Sequence, residues 1–131
     1  MANVILQLHG INVYLIWVAA AVATIWGFVI YFTRRPMVKP WRIMLIVTLA
    51  LGVLQGIFGL TMVLLGLRPG GGSGPYYLHY VYGGLVIIAI PLTWLSFTTN
   101  GKNVRRDILY YSLAALVILL AAVRAWMTGP R

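Results

Sequence analysis

The chain has 131 residues, of which 62% are hydrophobic and only 8% charged. That balance excludes a soluble globular domain and leaves a polytopic membrane protein, read as one transmembrane domain over residues 1–131. A net charge of +9 would suggest nucleic acid in a soluble protein, but here the basic residues cluster in loops between apolar segments. Cysteine is absent, which excludes disulfides, iron–sulfur ligation and covalent haem attachment.

Four apolar stretches, residues 4–32, 43–67, 76–97 and 108–127, each reach the ~20 residues that an α-helix needs to cross hydrocarbon. The predicted fold class is all-α, a four-helix transmembrane bundle. No basic residue precedes the first stretch and its apolar run exceeds a signal peptide's core, so it is expected to remain as the first span. Arg34, Arg35 and Pro36 break it off. Pro36 and Pro40 punctuate the short connection that follows, and Trp41 is expected at headgroup level.

The second span carries Gly52, Gly56 and Gly59. Residues 68–75, Arg-Pro-Gly-Gly-Gly-Ser-Gly-Pro, support neither helix nor strand, and so short a link makes helices 2 and 3 antiparallel neighbours. The third span opens with Tyr76, Tyr77, Tyr80 and Tyr82, and Pro91 inside it is expected to bend it. Asp107, the one acidic residue, begins the fourth span, where its charge suits the helix dipole.

Seven of the ten basic residues fall in the loops after helices 1 and 3: Arg34, Arg35, Lys39, Arg42, Lys102, Arg105 and Arg106. The positive-inside rule makes that side cytoplasmic and puts both termini outside, as in a bacterial inner membrane. Contact of these loops with anionic headgroups of the bilayer follows.

The two histidines, His9 and His79, both lie in the first turns of spans that run in the same direction. At 1.5 Å per residue both rings sit roughly 5–8 Å below the outer boundary. A ring nitrogen in a bilayer is costly without a partner, and two at matched depth can share one. Haem b, its iron held between His9 and His79, fits an apolar four-helix bundle. Gly83, one turn deeper than His79, together with Gly56 and Gly59, gives clearance for a flat ligand; Ala20, Ala23 and Gly27 fall on roughly the face of His9. Arg124 and Arg68, with no carboxylate on their side, suit haem propionates.

Each reading has a plainer competitor. The small residues pack helices together in any bundle, Arg124 can snorkel to lipid phosphate, and an interfacial histidine can bond a carbonyl with Asn12 or Tyr80 nearby. Copper is a second metal option, because Met62 and Met127 also lie toward the outer side. Zinc would want further ligands that this side does not offer.

The run Leu54-Gln55-Gly56-Ile57-Phe58-Gly59-Leu60-Thr61-Met62-Val63, followed by a short loop and His79, resembles a segment of the heme A synthase family. The resemblance covers about three helices and implies that His79 and His9 match the family's haem ligands. Two departures limit it. The synthase is similar to two four-helix halves in one chain where this sequence has one, and the glutamate implicated in that family's chemistry has no counterpart here. The resemblance thus implies haem binding at the outer side, without synthase activity. Small b-type membrane cytochromes share the same general design.

The expected function is a b-type cytochrome subunit that relays electrons within a larger respiratory or photosynthetic complex, with other membrane subunits and a quinone as partners. The alternative is a cofactor-free structural subunit. Catalysis is the least supported reading: there is no nucleophile constellation, no phosphate-binding glycine motif and no pair of carboxylates.

Overall fold

A computed structural model describes residues 2–67 and 77–128. They form four helices: α1 (Ala2–Phe32), α2 (Lys39–Leu64), α3 (Tyr77–Ser96) and α4 (Val104–Thr128). All four are long and apolar enough to cross a membrane, and the described residues contain no strand. The chain is an all-α, integral membrane bundle. Its outer surface fits lipid, with Val18, Ile25, Leu60, Leu64 and Leu95 exposed. Helices apolar on every side cannot present a polar face to water, so hydrocarbon is their solvent.

Successive helices run in alternating directions. Loops 33–38 and 97–103 therefore share one end, the basic end. The start of α1, the end of α2, the start of α3 and the end of α4 share the other.

Helix boundaries differ from the sequence expectation where local chemistry intervenes. Pro40 does not separate elements; it sits in the first turn of α2, where a missing N–H costs nothing. At its other end α2 stops at Leu64, three residues early, and Leu65, Gly66 and Leu67 turn back onto the carbonyls of Thr61, Met62 and Val63. Gly66 supplies the positive φ of +84° there. Helix α4 begins four residues early because Asn103 caps it, its Oδ1 accepting the Arg106 N–H at 3.1 Å. Pro91 lies within α3, which continues through it to Ser96.

Two residues in the first turns of α2 and α4 make contacts beyond the expectation. Trp41 is not a headgroup anchor but is fully buried. Its Nε1 donates to the Ala23 carbonyl at 3.0 Å, and its ring meets Tyr111 edge to face at 6.5 Å. Asp107 turns back rather than merely facing the helix dipole. Its carboxylate, 3% exposed, accepts from Thr99 N at 2.7 Å, Thr99 Oγ1 at 3.0 Å and Gly101 N at 3.0 Å. The sole acid of the chain is consumed in fixing the α3–α4 loop.

The core follows the seam of α1 with α4. Ala20, Ala23, Ala115, Ile118 and Ala122 are buried along it. Ala20, Ala23 and Gly27, on roughly the face of His9, lie deeper along α1 in this buried seam. A Cβ on Gly27 would strike the Ser112 side chain and come within 2.8 Å of the Trp41 ring. Hydroxyls inside the bundle bond back within their own helices: Thr24 to Ala20 O, Thr48 to Met44 O, Thr93 to Ala89 O and Ser112 to Ile108 O, all at 2.7–2.8 Å. With no water to turn to, each is satisfied locally.

Because the seam leaves no room at Gly27, Gly27→Leu is expected to destabilise the bundle by about 1–3 kcal/mol through overpacking. Thermal unfolding of the detergent-solubilised protein, followed by helical circular dichroism, checks this; an unchanged midpoint would contradict the packing described.

Candidate functional site

Helix α1 packs along both α2 and α4, and α3 packs along α4, but α2 and α3 meet over a much smaller surface. Their point of contact is deep in the bundle. There, a Cβ on Gly52 would lie 3.1 Å from the Val86 carbonyl. Toward the end that carries the histidines a cavity of about 700 Å³ opens, lined by all four helices.

Glycines make the space. Gly52, Gly56 and Gly59 of α2 and Gly83 and Gly84 of α3 all line the cavity. Added methyls on Gly83 or Gly84 would meet nothing within 4 Å, whereas one on Gly56 would run into the Ile87 side chain. Missing side chains on facing helices thus leave a volume in the range typical of cofactor pockets, roughly 300–1,000 Å³.

Both histidines border this cavity. Their ring centroids are 5.9 Å apart and their planes are inclined at 55°. His79 Nδ1 lies 2.7 Å from the Ala125 carbonyl oxygen of α4. A carbonyl only accepts, so Nδ1 carries the proton and donates it. The contact is the histidine-to-carbonyl bond of the plainer expectation, and it orients the ring. His9 is held through its backbone: Gln55 Nε2 donates to the His9 carbonyl at 3.0 Å. Its ring Nδ1 is enclosed without a hydrogen-bond partner, and its Cε1 lies 3.6 Å from where a Gly59 Cβ would be. An unsatisfied buried polar atom costs about 1–3 kcal/mol, so the ring is left with an unmet demand.

Asn12 and Gln55 tie α1 to α2 beside the pocket. Asn12 is buried and donates from Nδ2 to Leu51 O at 3.0 Å and to Gln55 Oε1 at 2.9 Å. Asn12 therefore supports Gln55 and does not bond a histidine ring. Sequence reasoning missed Gln55 as a residue of the site in its own right; a glutamine in mid-span, with no charge to pair, was the available signal. It also missed Ala125, since a backbone acceptor has no signature in composition.

Other expected participants divide. Gly56, Gly59 and Gly83 line the cavity with His9 and His79. Arg124 precedes Ala125 on α4, outside the cavity lining, with its guanidinium 5.5 Å from the Tyr82 ring centre. Arg68 lies outside the described residues. Met62 and Met127 are not among the cavity's lining residues, so a copper site would have no thioether in this pocket. Tyr80 and Trp126 complete the wall, and Trp126 meets Trp17 edge to face at 5.5 Å.

What could the cavity hold? Two imidazoles spanning one metal ion, with metal–nitrogen bonds of about 2 Å and about 1 Å from each nitrogen to its ring centre, have centroids about 6 Å apart. The observed separation matches. The inclination of the planes is no obstacle, because an imidazole can rotate about its metal–nitrogen axis without losing the bond. Two ligands do not complete a metal's shell, and among the described residues no group of three or more His, Cys, Asp or Glu side chains gathers. The remaining donors would have to arrive with the guest. A flat macrocycle brings four, and the apolar space beside the rings is where its body would lie.

The Asn12–Gln55–His9 chain predicts that Gln55→Leu weakens the α1–α2 contact by about 1 kcal/mol, the scale measured for hydrogen bonds inside bundles. Comparative thermal unfolding of the two proteins is the check. No family model, curated protein or solved structure matches the chain.

Proposed function

We propose that the chain is a b-type cytochrome subunit that binds one haem b through His9 and His79 and passes electrons within a larger membrane complex. The observation that carries this reading is the pair of imidazoles, ring centroids 5.9 Å apart, bordering one large apolar cavity, with the His79 ring oriented by its Nδ1 contact to the Ala125 carbonyl.

His9 and His79 would hold the haem, which would supply a reversible one-electron iron couple. The chain's own residues do the rest. Ala125 fixes the His79 ring, Gln55 and Asn12 hold the His9 backbone, and the cavity glycines of α2 and α3 would admit the flat guest. Leu6, Ile16, Val86 and Ile87 exclude water from it. Arg124 and Arg68 are the cations proposed to meet the propionates.

The asymmetry of the basic loops supports a bacterial inner membrane location, with the haem near the outer face and both termini outside. With so little mass beyond the lipid, electron exchange would run to a quinone in the bilayer or to neighbouring subunits of a respiratory or photosynthetic complex.

Reduced-minus-oxidised absorption spectra of the purified protein test the proposal. A Soret band and an α-band of a six-coordinate b-type haem are expected, with His9→Ala and His79→Ala each retaining less than about a tenth of the haem. Gly83→Leu, which fills open space, should also lower haem content while leaving helicity intact. A colourless preparation from haem-replete cells, or wild-type haem levels in both histidine variants, would overturn it in favour of a cofactor-free structural subunit.

A further inference from the structure

The basic end of the bundle, about 33 Å along α1 from His9, holds a second concavity. It is a shallow pocket of about 400 Å³ between the end of α1 and the start of α4, lined by Tyr31, Asn103, Arg105, Arg106, Leu109 and Tyr110. Its two arginines are held in place. The Arg105 guanidinium lies over the Tyr31 ring at 4.3 Å, and that of Arg106 over the Tyr110 ring at 5.1 Å. Tyr110 is in turn stacked on Phe97 at 5.9 Å and 27°.

Stacking on an aromatic face engages the plane of a guanidinium and leaves its N–H edge for an anion. Two such edges border one cavity. The nearby carboxylate does not neutralise them, because Asp107 is buried and turned into the loop by Thr99 and Gly101. Leu109 gives the pocket an apolar margin, and it lies at the ends of two spans, the level of lipid phosphates.

We propose that Arg105 and Arg106, presented by Tyr31 and Tyr110, bind the phosphate of an anionic phospholipid whose acyl chains lie against α1 and α4. The same charge chemistry would attract free phosphate, but the position at the span ends and the apolar margin commit the site to a lipid.

The test is retention of lipid by the full-length protein, measured by native mass spectrometry after exchange into mixed micelles containing phosphatidylglycerol or phosphatidylcholine. Phosphatidylglycerol is expected to remain bound in preference to phosphatidylcholine, and millimolar inorganic phosphate should not displace it. The double variant Arg105→Gln/Arg106→Gln should lose about tenfold or more in retention, given the known strength of each basic residue at a membrane surface. Tyr31→Leu, which keeps every charge, should weaken it several-fold. Arg35→Gln/Lys102→Gln removes the same charge from outside the pocket and should have little effect; helical circular dichroism shows that each variant is folded. Equal loss in both double variants would reduce the effect to diffuse surface charge and overturn the proposal. So would equal retention of phosphatidylcholine, or displacement by inorganic phosphate.

Discussion

Inside hydrocarbon a polar group has no water to fall back on, and the organisation of this bundle follows from how each one is answered. Most are answered at home. Threonine and serine hydroxyls return to carbonyls of their own helices, Trp41 finds Ala23, and Asn12 and Gln55 bond each other and two backbone oxygens. Among the described residues two buried ring nitrogens have no hydrogen-bond partner, His9 Nδ1 and Trp17 Nε1. The first of these borders the cavity of about 700 Å³ and faces a second imidazole, so a want of hydrogen bonds and a want of atoms meet there.

The two halves of the bundle are built on opposite principles. Along α1 and α4, alanines and Gly27 remove side chains so that backbones can approach, and partner atoms fill what is removed. Along α2 and α3, glycines also remove side chains, but only Gly52 is filled by a neighbour's backbone. Nearer the histidines Gly56 faces the Ile87 side chain and Gly59 the His9 ring, and only Gly83 and Gly84 of α3 face open space. Small residues thus serve close packing in one seam and vacancy in the other, and which of the two results depends on how the helices diverge.

That difference sets how far the sequence could be read. Four spans, their alternation and the pairing of His9 with His79 at one level were legible, because length, hydropathy and direction determine them. The fate of each glycine was not, since Gly27 and Gly83 look alike until the neighbouring helix is placed. Trp41 read as an interfacial anchor because indoles favour that zone; a carbonyl of the adjacent helix within reach drew it inside. Pro40 read as a breaker, yet the first turn of a helix tolerates it. Asp107 read as a dipole partner and does stand in the first turn of α4, but the three donors it accepts from the seven-residue α3–α4 loop were not legible. In each case the deciding contact is long-range or depends on a backbone turn that composition does not encode.

The narrow meeting of α2 with α3 has a consequence for biogenesis. A bundle sealed on all sides would have to wrap its guest while inserting, tying synthesis of the polypeptide to supply of the ligand. Here three contacts between helices are extensive and the fourth is slight, so the four spans can reach their final arrangement first and remain receptive. On the haem-binding proposal, a hydrophobic molecule dissolved in the bilayer would enter sideways, parting two helices that are little attached to each other, and its uptake would be a step separate from insertion.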